Sequence, residues 1–286
     1  MVQVAEHAGA ARSEDPADEL LRSFGRQVKI LRERAGLTQA ALAPRLGYSE
    51  AQIAAIEQGR RIPRPETIDN LDNLLEGGGL LLAMKRAVAL TRYPAFFRDA
   101  ARIEEEAVEF HAYAVLAVPG LLQTEEYART MFTVWRPRRR EDEIEQMVAA
   151  RMARHGIYER KPAPTLSFVI EESVLERSVL ERPFGGTDVL RGQLEHMLLV
   201  AENPHVEIQV MPTRVVDHAG ADGPFTMMTP EGGEQVAYVE SQANGRVITK
   251  RESVRGFAVR YGILRAQALS PAESVRHIEK LLQGDL

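Results

Sequence analysis

Residues 37–65 read LTQAALAPRLGYSEAQIAAIEQGRRIPRP, and the order of caps, apolar positions and stops in this stretch decides the organisation of the N-terminal region. Thr38 is a good N-cap for a short helix containing Ala41, Leu42 and Leu46, which Gly47 ends as the usual left-handed residue past a helix. Ser49 caps a second helix, and Gln52 three residues on completes a capping-box pattern ahead of Ile53 and Ile56; Gly59 stops it. Working outward, Leu20, Phe24, Val28, Leu31 and Ala35 recur at three- and four-residue steps before Gly36, which predicts a preceding helix. On the other side, a helix from about Glu66 follows Pro63 and Pro65, carries Ile68, Leu71, Leu74 and Leu75, and breaks at Gly77-Gly78-Gly79. Four short helices in succession make a compact all-α unit.

This unit is basic inside an acidic chain. The 286 residues carry 36 Lys plus Arg against 41 Asp plus Glu, net −5. Residues 20–65 hold nine basic side chains against three acidic, +6, so the C-terminal remainder is −7 and residues 1–19 are −4. The charge is segregated, which leaves room for an anionic partner of the small basic segment. Residues 1–19 show no apolar period and read as a disordered tail. No cysteine occurs, which removes disulfides, thiol nucleophiles and zinc–thiolate sites and fits a reducing, cytoplasmic setting. The longest stretch free of charged residues, Phe110 to Thr124, contains His111, Pro119 and Gly120 and falls short of the roughly 20 apolar residues of a membrane span. No signal peptide pattern opens the chain.

Beyond residue 80 the pattern changes. Leu80 to Leu90 continues as an apolar helix, Arg98 to Glu109 reads as a charged segment, and Ala112 to Val118 as a buried strand. Thr124 caps a helix with Tyr127, Met131, Phe132 and Trp135 on one side; Ile144 to Ile157 predicts another. Thr165 to Ile170 and Val206 to Met211 read as strands around a helix at Asp188 to Ala201. Phe225 to Thr229, Val236 to Glu240 and Val247 to Thr249 suggest a small meander with turns at Gly232-Gly233 and Asn244-Gly245. Ser270-Pro271-Ala272-Glu273 opens a final helix. The expected architecture is multidomain, with a tail over 1–19, an all-α domain over 20–90, and a larger α+β domain over 91–286.

The stretch 37–65 resembles the phage-repressor-like helix-turn-helix of the xenobiotic-response-element family, which has a T-Q start, an L-A pair, an L-G turn, a capped second helix and an E-x-G-x-R/K-x-P exit at these spacings. The resemblance covers about 60 residues. It implies that the helix from Thr38 crosses a double-stranded DNA backbone and that the helix from Ser49 enters the major groove by its N-terminal end. By the same resemblance Gln39 donates to a phosphate, Glu50, Ala51, Gln52 and Ala55 face base edges, and Arg60 and Arg61 contact phosphate. The chain departs from the commoner pattern in carrying Ala51 and Ala55 where Arg or another polar residue is usual. Gln52 alternatively serves its capping box alone, and Gln39 and the arginines alternatively form a solvated face. Arg32 and Glu57 fall where the family has an ion pair between the first helix and the recognition helix, a structural role.

The segments VPGLLQTEEYARTMF (118–132), ARMARHGIYER, FVIEESVLER, VEIQVMP and GPFTMM resemble an uncharacterised C-terminal domain found behind such modules in actinobacterial regulators. Its members are similar to antitoxin-like regulators encoded beside a very small partner protein; they usually have Gln where this chain has His155. The aromatic side of the Thr124 helix reads as core, with a pocket or partner groove lined by Tyr127, Met131 and Trp135 as the alternative. Arg151, on the inner side of its helix, and Glu172, after a buried strand, are expected to pair, or else to stand as separate solvated charges. The run Arg136-Pro137-Arg138-Arg139-Arg140 reads as a solvated loop.

An enzyme is not the favoured class. The seven histidines show no H-x-x-x-H or H-E-x-x-H spacing, and no G-x-S-x-G, Walker or dinucleotide fingerprint occurs. Glu171 and Glu172 are adjacent and point to opposite faces of a strand, and Asp217, His218 and Asp222 sit in a Gly-rich loop rather than a metal site. No cofactor or metal is expected. Two readings remain. One is a DNA-binding regulator, dimeric so that two recognition helices reach half-sites about 34 Å apart, whose C-terminal domain senses a small protein or ligand. The other is an antitoxin-like module that neutralises a small partner, with DNA binding for autoregulation.

Overall fold

In the computed structural model, residues 16–176, 185–242 and 244–284 are described, and they form two compact units that divide between Arg98 and Asp99. Most of the expected tail, residues 1–15, lies outside the described residues. Pro16–Glu19, read as tail from composition, instead open the first helix, with Asp18 and Glu19 in its first turn and Ala17 buried. Acidic residues favour a helix N-terminus, so the composition that suggested a tail is also that of a helix start.

The first unit is all-α. Helix α1 (Pro16–Arg34), α2 (Gln39–Leu42, continued by a 3₁₀ turn over Ala43–Leu46), α3 (Glu50–Glu57), α4 (Pro65–Leu74) and α5 (Leu80–Leu90) surround one core. Phe24, Val28, Leu42, Ile53, Ile56, Ile68, Leu71, Leu81 and Val88 are all fully buried in it. Each such side chain contributes roughly 1.5–3 kcal/mol on burial, which is how helices too short to stand alone persist. After α5 the chain is tied back, because Arg92 Nη2 donates to the Pro63 carbonyl at 2.5 Å. The first unit accordingly extends past the expected end at residue 90.

Helix α1 meets the last turn of α3 backbone to backbone. A Cβ on Gly25 would lie 2.5 Å from the Ile56 carbonyl oxygen and closer still to that of Glu57. Gly59, at φ +70°, faces the backbone of Arg22 in the same way. A glycine inside a helix costs about 1 kcal/mol against alanine, and close approach is the gain that offsets it here.

The second unit begins within the first turn of α6 (Arg98–Glu106) and builds a six-stranded sheet in the order β3-β2-β1-β4-β5-β6. Strands β1 (Ala107–Ala114), β2 (Thr165–Glu171) and β3 (Val206–Met211) are parallel neighbours; β4 (Phe225–Pro230), β5 (Val236–Ser241) and β6 (Asn244–Ile248) add on antiparallel from the other side of β1. Parallel pairs need helical crossovers. Helices α7 (Glu125–Val134) and α8 (Glu141–Ala153) lie between β1 and β2, and α9 (Glu172–Glu176) and α10 (Thr187–Ala201) between β2 and β3. Helices α11 (Arg251–Gln267) and α12 (Pro271–Gln283) close the unit. One face of the sheet packs on α11, where Tyr113, Val169, Met211, Phe225 and Met227 meet Tyr261 and Leu264.

Two expected boundaries move. The strand expected at Ala112 to Val118 runs from Ala107 to Ala114, because Glu109, at the end of the expected charged segment, finds a partner on β4 and His111 one on the helix over the sheet. Thr229 donates to Glu109 at 3.0 Å, and His111 stacks on Tyr261 at 5.1 Å. The expected turn at Asn244-Gly245 belongs to β6, paired with Ser241 and Glu240.

Buried amides hold the segment after β1. Gln123 Nε2 donates to the Val118 carbonyl at 2.7 Å, and its Oε1 accepts from Arg151 Nη1 at 2.8 Å. Gln193, fully buried, accepts from Thr124 N–H at 2.9 Å and donates to the Leu122 carbonyl at 2.6 Å. Arg151 and Glu172, expected to pair or to stand as separate solvated charges, each meet other partners among the described residues. Arg151 is used by Gln123 and lies over the Phe132 ring, while Glu172 accepts from the Thr213 backbone N–H and hydroxyl at 2.7 and 2.8 Å. Buried polar atoms need partners, and each of these two ions meets one nearer to hand. The buried ion pair of this region is Arg154–Glu104, bidentate at 2.6 and 2.7 Å. Beside it, His155 stacks with His196 at 5.9 Å. Burial, then His196 and the Arg154 and Arg151 cations, push His155 down to about 4.

Two predictions follow from this packing. Gly25→Ala should lower the stability of the first unit by about 1–3 kcal/mol in chemical denaturation, because the clash with α3 outweighs the better helix propensity; unchanged or higher stability would contradict the close approach. His155 stays neutral in the folded chain but takes up a proton near pH 6.5 when unfolded. Stability should therefore drop as pH falls from about 6.5 towards 4, and His155→Gln should show a smaller drop in thermal midpoint over that window. Parallel curves for the two proteins would remove His155 from the effect.

Candidate nucleic-acid interface

The candidate interface is α2, the turn and α3, and each part is set by its own local chemistry. Thr38 Oγ1 accepts from Ala41 N–H at 3.1 Å, and Gly47 takes the left-handed conformation at φ 68° that the turn needs. Ser49 Oγ accepts from Gln52 N–H at 3.3 Å, while Gln52 Oε1 accepts from Ser49 N–H at 2.9 Å. This is a complete capping box, worth about 1 kcal/mol through the Ser49 cap alone. It uses only the oxygen of the Gln52 amide, and among the described residues the Gln52 NH₂ makes no hydrogen bond.

The angle of α3 against α1 and α2 is held by one ionic network. Arg32 Nε and Nη2 donate to the two Glu57 oxygens at 2.5 and 3.0 Å, with the side chains 8% and 2% exposed. Arg32 Nη1 donates to the Leu37 carbonyl at 2.7 Å, which ties in the chain entering α2. The hydrogen bond to Glu57 raises the Arg32 pKa above its already high ordinary value. Gln39 Nε2 donates to Glu57 Oε2 at 2.6 Å. Expected at a phosphate, Gln39 thus spends one amide hydrogen on the network, and only its second is available to another acceptor. The family resemblance that implied the ion pair carried no signal for this third member.

Three residues of α3 point inward and the rest of its surface is short. Ile53, Ile56 and Glu57 are buried, Glu50 and Ala51 are exposed, and Gln52, Ala54 and Ala55 are half-buried. The outer face therefore offers a carboxylate, a free amide NH₂ and methyl groups. Cations sit around it rather than on it. Arg60 is exposed and folds onto Gln58 Oε1 at 2.8 and 2.5 Å. Arg61 lies over the Tyr48 ring at 5.6 Å with its Nε buried and unpaired, so it is partly a packing residue. Arg45, before the turn, and Arg64, before α4, are both exposed, and no motif position marks either.

Tyr127, Met131 and Trp135, read as core with a partner groove as the alternative, differ in burial. Tyr127 is buried in the core, with its hydroxyl accepting from Val118 N–H at 3.4 Å. Met131 and Trp135 are half-buried, and Trp135 lies under the Arg139 guanidinium at 5.1 Å. The arginine run is largely used locally: Arg136 donates to the Trp135 carbonyl at 2.9 Å, and Arg140 pairs with Asp142 at 2.8 Å. Missed altogether was a meeting of Tyr113, Glu171 and His218, which lie far apart in sequence. Among the described residues no group of three or more His, Asp or Glu is placed to hold a metal ion, and no helix is long and apolar enough to cross a membrane.

Glu57→Gln tests the network. It leaves a buried guanidinium without its counter-charge, so the first unit should lose about 3 kcal/mol in chemical denaturation, while Glu50→Gln on the exposed face should change stability by less than about 0.5 kcal/mol. Equal effects of the two would show that the pair does not hold the unit.

Comparison with known proteins agrees with this division. Residues 23–83 match a helix-turn-helix domain, and residues 97–280 match a domain of unknown function, DUF5753. Over 57 residues the chain is 44% identical to the HTH-type transcriptional repressor RghR of Bacillus subtilis (strain 168), covering 20% of this chain and 42% of that protein. The chain thus spans less than half the length of this curated relative. No solved structure matches. With its second unit matched almost end to end and a helix-turn-helix module in front, the chain belongs to the DUF5753 family of helix-turn-helix proteins.

Proposed function

We propose that this protein is a sequence-specific transcriptional regulator that inserts α3 into the major groove of double-stranded DNA, and that its second unit receives the signal, from a small protein or a ligand. The observation that carries the reading is the build of α3: capped, held at a set angle by the Arg32–Glu57–Gln39 network, and presenting a free amide with two flanking methyls. In this reading the Gln52 NH₂ serves an adenine or another base acceptor, Ala51 and Ala55 pack on thymine methyls, and Glu50 takes a cytosine amino group. Arg45, Arg60 and Arg64 supply phosphate contacts, with Arg61, Thr38 and Ser49 positioning the backbone elements. A homodimer would present two such helices to half-sites about 34 Å apart. The likeness to a protein named as a repressor favours repression.

Fluorescence anisotropy over a salt series, with DNA from upstream of the protein's own gene and with scrambled DNA, tests this. The upstream DNA should bind preferentially. Arg45→Ala with Arg60→Ala should weaken both DNAs alike and reduce the salt slope by about 2, whereas Gln52→Ala should cut the preference by about tenfold. No preference for the upstream DNA at any salt would overturn the assignment.

A further inference from the structure

The segment between β3 and β4 has to cross the ends of two other strands. Because β4 pairs with β1 on the side away from β2, the chain leaving β3 passes over the C-terminal ends of β2 and β1. In open sheets with parallel strands, ligands lie at such ends, where the direction of winding reverses. Residues 212–224 make this crossing without a strand or helix, yet side chains pin them throughout. Thr213 bonds to Glu172, Gln267 Oε1 accepts from Ala219 N–H at 3.2 Å, and Asp222 pairs with Arg260 at 2.7 Å.

Beneath the crossing lies one carboxylate with its two oxygens in different circumstances. Glu171 Oε1 accepts from the Tyr113 hydroxyl at 2.6 Å and meets His218 Nε2 at 2.8 Å. His218 Nδ1 accepts from Gly220 N–H at 2.8 Å, which leaves the ring proton on Nε2 to be donated to Glu171. Gly220 fits only as glycine, since a Cβ there would fall on the Tyr113 hydroxyl. Oε1 is therefore saturated and the carboxylate is aimed. Oε2 makes no hydrogen bond among the described residues, and the side chain is 14% exposed.

The connections that leave β1 and β3 each carry an exposed apolar tip. Val115 and Val215 pack into the core cluster that contains Tyr113, and the residue after each, Leu116 and Val216, is 82% and 94% exposed. Leu116 follows β1 and Val216 follows β3, so the two tips belong to the connections on either side of β2, which carries Glu171. Neither is explained by packing.

We propose that this end of the sheet binds a small amphipathic organic cation, an ammonium on a hydrocarbon chain, with the ammonium on Glu171 Oε2 and the chain against Leu116 and Val216. Tyr113 and His218 are positioning residues that hold the acceptor. The binding follows from this geometry alone; its role as the regulator's signal rests on the proposed function above.

Isothermal titration of the full chain with n-hexylamine, n-butylamine and 1-hexanol, with DNA anisotropy repeated in each, tests the site. Hexylamine should bind at least about tenfold tighter than hexanol, the effect of one charge-assisted hydrogen bond, and about tenfold tighter than butylamine through its two extra methylenes. The near-isosteric Glu171→Gln should remove the first difference, and Leu116→Ser with Val216→Ser, both at exposed tips and so safe for folding, should shrink the second below about threefold. Equal binding of hexanol and hexylamine, no binding of hexylamine, or full retention of both ratios in the variants overturns the site. Hexylamine binding without any DNA preference would leave the site standing and the regulator reading refuted; DNA preference without hexylamine binding would do the reverse.

Discussion

The buried contact between Arg32 and Glu57 is the constraint on which the helix-turn-helix unit of this protein depends. It joins three elements by directional bonds: α1 through Arg32, the start of α2 through Leu37 and Gln39, and the end of α3 through Glu57. Charges are expensive to desolvate, and a buried pair repays that cost only when its remaining lone pairs and hydrogens are also satisfied. Here the Leu37 carbonyl and the Gln39 amide supply what the pair itself leaves open. The return is directional: an apolar core of Leu and Ile would tolerate a small rotation of α3, whereas four hydrogen bonds at fixed lengths would not. For a helix eight residues long, angle matters more than length, since it has few side chains with which to correct an error.

The same economy shapes the outer face of α3. A reading surface made of one carboxylate, one amide and several methyl groups has little charge of its own. Affinity in this reading comes from arginines on the neighbouring turns, which are insensitive to sequence, and selectivity from Gln52 and the methyl contacts. Net charge of the whole chain is a poor guide to such a protein. Phosphate contacts act within a Debye length of about 8 Å, so the +6 of residues 20–65 is what DNA would meet locally, whatever the remaining residues carry.

The second unit solves a different problem. A mixed sheet with three parallel strands needs long connections, and their polar backbone has to be satisfied away from regular ladders. Buried glutamines do this after β1, where Gln123 and Gln193 each both donate and accept. After β3 the work passes to Glu172, Gln267 and His218. The density of specific polar contacts in both places explains why motifs such as VPGLLQTEEYAR stand out in the sequence: their Gln, Gly and Thr have particular backbone duties, and no catalytic role is required to account for them.

Much of this was legible from the chain alone wherever the signal is local. Caps at Thr38, Ser49, Thr124 and Ser270, stops at Gly47 and Gly59, and the apolar periods of α1 and α4 act within one or two helical turns, so residue spacing determines them. The Arg32–Glu57 pair was readable only through likeness to a family that shares it. Tertiary structure alone decided the rest. It turned Gln39 inward to Glu57 and gave Arg151 to Gln123 instead of Glu172. It moved β1 onto residues that looked like a charged connection, and it brought Tyr113 and His218 to one oxygen of Glu171. Each of these is a competition among several partners for one buried polar atom, or for a place on a sheet whose strand order spacing does not encode. Such a competition is settled by which groups the packed chain brings within about 3 Å of one another, a distance that no spacing along the sequence contains.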